Sequence, residues 1–244
     1  MTMKVPMSRY LSPLLALCAL TGLTLTSAAP ALAQSSLVLG GTAYSEEGEL
    51  TGEQQISVQE RDESFAYENA DFLSARILYL RPFKEHFRIG GGIDFIGNYR
   101  ANVLDEDGQP EDPIEVYEFG PLLEVMAHAE WNIGITERID LGLGAQVGLV
   151  GLFPRGDLRA EIRELQDQDV NTFMLPRLGW SAAPQVLATY RFDERLALRA
   201  DVGVQWQSIW IFNTEQNVND VAFRKKWTAG TMRTRVGLAL EVRL

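Results

Sequence analysis

From residue 35 onward the chain alternates apolar and polar positions with a period of two, the signature of strands with one greasy and one polar face. Phe87, Ile89, Gly91, Ile93, Phe95, Gly97 and Tyr99 share one face, opposite Arg88, Gly90, Gly92, Asp94 and Asn98. The split recurs in Ile139, Leu141, Leu143, Ala145, Val147 and Leu149, then in Leu196, Leu198, Ala200, Val202, Val204 and Trp206, and again in Val236, Leu238, Leu240, Val242 and Leu244. Eight such segments are predicted, over residues 36–44, 65–81, 87–101, 117–132, 139–152, 177–192, 196–212 and 231–244. Most exceed the roughly nine to eleven residues with which a tilted strand crosses a bilayer. The connections alternate: 84–86, 134–138 and 193–195 are short, whereas 45–64, 102–116, 153–176 and 213–230 are long. Short turns on one side and long loops on the other predict an all-β fold, an eight-stranded antiparallel up-and-down transmembrane β-barrel.

Closure follows from solvent physics, because lipid offers no hydrogen-bond partners and every strand edge must be paired. Eight strands enclose an interior that side chains can fill. Phe65, Tyr67, Phe87, Tyr99, Tyr117, Trp131, Tyr190, Phe192, Trp210 and Phe212, near strand ends, are expected to form interfacial girdles. Pro121 and Pro184 fall inside predicted strands and each removes a ladder donor, so bulges or shifted boundaries are expected there. The second segment is less clean, with Phe72, Leu78 and Leu80 on its inner face.

The first 33 residues differ from the rest. Lys4 and Arg9 give a positive start, residues 11–33 carry no charge, and Ala31-Leu32-Ala33 precedes Gln34 as a small-x-small cleavage site. Residues 1–33 therefore read as a cleaved signal peptide and 34–244 as one barrel domain. A retained anchor fits less well, since Ser12, Pro13, Thr21, Thr24 and Pro30 dilute the apolar run. Lipidation at Cys18 would need a small residue where Leu17 stands. Removing Lys4 and Arg9 takes the formal charge from −11 to −13, a poor surface for nucleic acid. The mature chain has no cysteine for disulfides or thiolate metal sites.

With the apolar face outward, the interior receives Arg76, Arg88, Asp94, Glu118, Glu124, His128, Glu130, Asp140, Arg177, Arg191, Arg199, Asp201, Arg233, Arg235, Glu241 and Arg243, with no lysine. Near-balanced charge in a confined volume predicts a lumen plugged by arginine–carboxylate pairs, since isolated buried charges cost several kcal/mol or more. A narrow porin-like pathway for ions or small solutes, gated by one such pair, is the variant. Glu124, His128 and Glu130 share one strand face but lack a nucleophile, so no catalytic residue, metal or cofactor is assigned. Gly90-Gly91-Gly92 predicts tight packing or a bulge rather than a phosphate loop. Asp105-Glu106-Asp107-Gly108 lacks the ligand spacing of a calcium loop, and Arg155-Gly156-Asp157 is too short to signify adhesion. Leu158, Ile162 and Leu165 follow helical spacing after Asp157, a candidate N-cap, and predict a short amphipathic helix over the barrel mouth.

The whole pattern over residues 36–244 resembles the small OmpA/OmpX-type outer-membrane barrels. Phe192-Asp193-Glu194-Arg195-Leu196-Ala197-Leu198-Arg199 looks like their strand, tight turn and strand, and the stretch 236–244 is similar to their C-terminal insertion signal, although it ends in Leu244 rather than an aromatic residue. The resemblance implies a cell-envelope protein of the bacterial outer membrane. Its expected partners are membrane lipid, lipopolysaccharide and the barrel-insertion machinery, which would read the C-terminal strand; the external partner stays open. No peptidoglycan-binding domain is expected after the last strand. Similarity to lipid A deacylase barrels stops at His86 and His128, which lack the nearby serine of a His-x-Ser motif. The leading expectation is a non-enzymatic structural or surface-interaction barrel. Its acidic loops, with Glu46, Glu47, Glu49, Glu53, Asp105, Glu106, Asp107, Glu111 and Asp112, would meet anionic lipopolysaccharide through divalent cations. A soluble periplasmic lipocalin-like barrel, with the greasy face inward around a ligand, and a membrane enzyme using His128 are the alternatives.

Overall fold

The computed structural model describes residues 35–56, 59–104, 116–218 and 221–244. The export signal read over 1–33, its cleavage after Ala33, and the acidic stretch 105–108 lie outside the described residues. Within them run β1 (Ser36–Ile56), β2 (Gln59–Asn69), β3 (Leu73–Lys84), β4 (Phe87–Val103), β5 (Val116–Gly134), β6 (Ile139–Leu152), α1 (Gly156–Asp167), β7 (Arg177–Arg191), β8 (Leu196–Val218) and β9 (Val221–Arg243).

All strand pairs are antiparallel. β1 pairs with β9 from Ser36↔Arg243 to Ile56↔Phe223, which closes the sheet on itself. β2 and β3 lie end to end as one stave: the first half of β1 faces β3, from Ser36↔Leu80 to Ala43↔Leu73, and the second half faces β2, from Glu47↔Glu68 to Ile56↔Gln59. Both then pair with β4. The fold is thus an eight-staved barrel, as the alternation predicts. The turns after β3, β5 and β7 lie at the end that holds Ser36 and Arg243, and the long connections lie at the other.

Two of the predicted loops are strand instead. Residues 45–56 continue β1, and β8 and β9 reach Val218 and Val221 in a hairpin of 23 residues per arm. At about 3.3 Å per residue such an arm measures about 75 Å, against an apolar band of about 25 Å in membrane barrels. The excess rises above the belt as a sheet of β2, β1, β9 and β8. Its outward residues are polar because they stand beyond lipid, and that polarity mimics a loop in sequence.

The outward face is apolar where strands cross the belt: Val125, Leu143, Leu149, Val186, Val202 and Leu238 all point away from the lumen, and Leu149 is 73% exposed. On β9 this face runs through Leu240, Leu238, Val236 and Met232, then turns polar at Thr228, Lys226 and Arg224. At about 25 cal/mol per Å² of apolar surface, such a continuous belt is costly in water and matched to hydrocarbon. The distribution is that of a membrane-spanning barrel and the inverse of a lipocalin-like one, whose greasy face would line the lumen.

Four expected girdle aromatics face inward, Tyr117 among them, packed against the apolar side chains of the mouth with its hydroxyl on Glu161. A register shift between Ile96 and Tyr99 in the β4–β5 ladder turns Tyr99 into the lumen, and one between Trp210 and Phe212 does the same for Phe212. Tyr67 is also buried, whereas Phe65, Trp131, Tyr190, Phe192 and Trp210 are exposed. Bulges shift parity by one residue, so alternation alone places everything beyond them on the wrong face. Phe72 points outward and Leu78 and Leu80 inward. Pro121 follows Gly120, whose φ of +112° is reserved for glycine. Pro184 falls in a gap of the β7–β8 ladder between Ala182↔Trp206 and Gln185↔Gly203. At Gly90 a Cβ would lie 1.8 Å from the Tyr79 carbonyl oxygen, so the glycine lets two backbones close on each other.

Candidate functional site

The lumen holds the chemistry, and it is arranged in layers. Nearest the short turns, Glu130 of β5 is the hub. Its Oε1 accepts from Arg88 Nε at 2.6 Å and Asn132 at 2.9 Å, while its Oε2 meets Arg199 Nη2 at 2.6 Å and His128 Nε2 at 2.9 Å. Arg88 also forks onto Glu241, at 2.6 and 3.1 Å, and Ser36 donates to the same carboxylate at 3.0 Å. One guanidinium therefore bridges two carboxylates on β5 and β9, across the barrel wall and its seam.

In the middle layer Arg76 of β3 donates to Asp94 at 3.0 and 3.2 Å and reaches Asp201 of β8 at 3.4 Å. Arg235 touches no carboxylate among the described residues. Its guanidinium donates instead to three amide carbonyls, those of Gln146, Gln185 and Gln205, at 2.6, 2.8 and 3.2 Å. Gln205 in turn donates to Glu124 at 2.7 Å, and Ser181 does the same at 2.7 Å. Gln205 thus couples a cation to an anion that do not meet. A cavity between this layer and Arg233 measures about 10 Å³, against the ~10–15 Å³ that one water requires.

Above it Arg233 pairs with Glu46 and donates to Gln207 at 3.0 Å, its guanidinium 5.2 and 5.4 Å from the ring centres of Tyr44 and Tyr99. Tyr99 donates to Glu46 and lies 3.1 Å from the Tyr67 hydroxyl. The mouth is then filled by apolar side chains, among them Ile96, Phe119, Leu122, Leu152, Ile209 and Ile211. α1 lies on this layer with Leu158, Ile162 and Leu165 buried, the three positions whose spacing predicts the helix. Its Glu161 binds Lys225 of β9 and accepts from Tyr117 at 2.8 Å. Asp157 does not act as the N-cap, a place taken by Arg155 without a side-chain bond. Its carboxylate accepts from the Glu118 main-chain N–H at 2.8 Å, which commits the Arg155-Gly156-Asp157 tripeptide to the helix start.

Of the residues expected in the plug, Arg88, Asp94, Glu124, His128, Glu130, Arg199, Asp201, Arg233, Arg235 and Glu241 meet in these layers. Arg191 and Asp140 form a separate pair at 2.8 Å, partly exposed at the turn-side rim, and Arg243 lies 3.8 Å from Glu241. Glu118 packs against Gly156 at the root of α1 and joins no buried ion pair among the described residues. Arg177 has no hydrogen bond or ion pair among them and faces the Phe212 ring at 5.4 Å. Glu46, expected in an outer loop, is in the lumen, and so is Lys225, although the sequence assigns no lysine there. Both lie on stretches read as loops. Their parity carries the signal: Glu46 continues the inward series Val38, Thr42 and Tyr44, and Lys225 precedes Trp227, Ala229, Thr231 and Arg233. The acceptors of Arg235 are uncharged, so a search for ion pairs passes over them.

No group of three or more potential metal ligands is present among the described residues. His128 makes its Nε2 contact to Glu130 and sits 3.4 Å from Arg199, with no hydroxyl or thiol nucleophile among its hydrogen-bond partners.

No model of a known protein family matches the sequence, and no curated protein matches it. Among solved structures the chain is similar to the outer membrane protein OprG from Pseudomonas aeruginosa, at 10% identity and a TM-score of 0.45, covering 87% of this chain and 96% of that one. It is also similar to the outer membrane protein AlkL in lipid bilayers, at 13% identity and 0.41, covering 91% and 95%. A third is the outer membrane protease OmpT from Escherichia coli, at 8% and 0.39, covering 89% and 99%. Identities of this size bear on the fold alone.

Proposed function

We propose that this chain is an outer-membrane barrel with a structural and surface-interaction role, closed to solutes rather than conducting. The observation that carries this reading is the filled cross-section: three polar layers, an apolar layer and a docked helix succeed one another along the lumen, and a cavity beside Arg233 and Arg235 measures only about 10 Å³. A pore needs a continuous polar path, and the apolar layer beneath α1 interrupts one. The apolar belt supports placement in a bilayer, and the turn side, with both ends of the barrel, would face the periplasm.

The tall sheet then stands outside the cell. Glu47, Glu49 and Glu53 on β1, and Glu68 and Asp62 on β2, would meet anionic lipopolysaccharide through bound divalent cations. The end of β9, with Val236, Leu238 and Leu240 facing outward, supports recognition by the insertion machinery. An enzymatic role is not supported by the surroundings of His128. Planar-bilayer recording of the purified full chain is the test. The expected trace shows no steady conductance at voltages of either sign, and a stable ohmic channel would replace this reading with the porin-like one.

A further inference from the structure

We infer that the cavity between the middle and upper polar layers binds one fixed water molecule, and that this molecule joins the two layers into a single hydrogen-bonded network. The inference rests on the closed-lumen reading above and deepens it.

The cavity lies where polar side chains from opposite walls reach one level. On one wall Tyr44 of β1 stands opposite Arg235 of β9, with Arg233 two residues away; on the other Asp94 of β4 stands opposite Glu124 of β5. Thr42, Tyr44, Asp94, Arg233 and Arg235 all line the cavity, and each is at most 7% exposed. Each also keeps one buried polar atom with no protein partner. Arg233 commits Nε to Glu46 and Nη1 to Gln207, which leaves Nη2. Arg235 commits Nη1 and Nη2 to its glutamines, which leaves Nε. Asp94 commits Oδ2 to Arg76, which leaves Oδ1, and the hydroxyls of Thr42 and Tyr44 are left as well. Buried polar groups are nearly always hydrogen-bonded, so their gathering around one small space calls for a ligand.

The mixed character of the set identifies it. The two guanidinium nitrogens only donate, the carboxylate oxygen only accepts, and the hydroxyls do both. An anion would face the carboxylates of Asp94 and Glu124, and a metal cation would face the guanidinium groups of Arg233 and Arg235. A neutral molecule that donates and accepts suits both sides. Water accepts from the two arginines and donates to Asp94 and to one hydroxyl, and the volume of about 10 Å³ is close to what a single water needs.

The position gives this water a structural task. Among the described residues no side-chain hydrogen bond joins the layer of Arg76, Asp94 and Arg235 to the layer of Arg233, Glu46 and Tyr99. With Arg233 on one side and Arg235 and Asp94 on the other, the water supplies that link.

The test is crystallography of the full chain, at a resolution that shows ordered water, on native crystals and on crystals soaked in bromide or in thallium. One oxygen-sized peak is expected within hydrogen-bonding distance of Arg233 Nη2 and Arg235 Nε, without anomalous signal from either soak. Bromide at this position would make it an anion site and thallium a cation site, and either overturns the inference. So does a cavity without density. A second measurement turns on a sign. Thr42→Ile carries a longer apolar side chain into the cavity; filling a mere void would raise the urea midpoint of unfolding, whereas expelling a bound water strands Arg233, Arg235 and Asp94 and lowers it. A lowered midpoint is expected, with a smaller fall for Thr42→Val, which removes the hydroxyl and keeps the space. A raised midpoint for Thr42→Ile overturns the site, and if that variant does not fold the density in the wild-type chain decides. The peak in a chain that conducts steadily would refute closure and keep the site; a silent chain without the peak would refute the site alone.

Discussion

Glu130 concentrates the energetics of the lumen at a single side chain. It faces Arg88, Arg199, His128 and Asn132, so its removal leaves Arg88 with Glu241 alone and strands the Arg199 guanidinium, which has little water to turn to. Breaking a buried ion pair from one side costs about 3–5 kcal/mol. Glu130→Ala should therefore lower the unfolding free energy by at least that amount in urea titrations of the folded barrel in detergent, followed by heat-shifted migration. Glu130→Gln, which keeps acceptors but not charge, should fall between the two. Arg235 behaves differently, since its partners are glutamine carbonyls and its loss leaves no carboxylate unpaired. Much of this was legible in the sequence: Arg88, Glu130, Arg199 and Glu241 lie on the polar faces of clean alternating runs, and parity alone puts them inside. Which arginine takes which acid was not, because pairing depends on stagger around the cylinder, and stagger leaves no trace in any one strand.

At the scale of elements, two features govern what alternation can and cannot say. Bulges at Ile96/Tyr99 and Trp210/Phe212 reverse parity and carry Tyr99 and Phe212 into the mouth, where they help build the surface on which α1 lies. Elements that leave the membrane lose their greasy face and pass for loops, as residues 45–56 and 221–230 do. α1 was legible because its three apolar side chains share one helical face, but what it covers was not. The helix should be held chiefly by that face. Ile162→Ala removes a fully buried side chain at a cost of about 2–5 kcal/mol, and the loss should be local. Limited proteolysis within residues 156–167 is expected to accelerate at least about tenfold, with the heat-shifted migration of the barrel unchanged. Simultaneous loss of both would mean that α1 is integral to the barrel rather than a cap on it.

The whole molecule is two-sided in its solvents: hydrocarbon-matched around the belt, ionic within, and polar again where the sheet of β2, β1, β9 and β8 rises above it. Fractionation of a Gram-negative host expressing the full chain should therefore leave the protein in the envelope pellet after alkaline washing, released only by detergent; recovery from the detergent-free periplasm would contradict this. The same architecture has a consequence in time. Because the first strand and the last zip together along 21 matched positions, the ring cannot be completed until β9 itself has been made. A nascent or shortened chain carries two raw margins, each with a full ladder of unsatisfied amides. The meeting of β1 and β9 is what removes both margins at once, and until it happens neither edge has a partner within the chain.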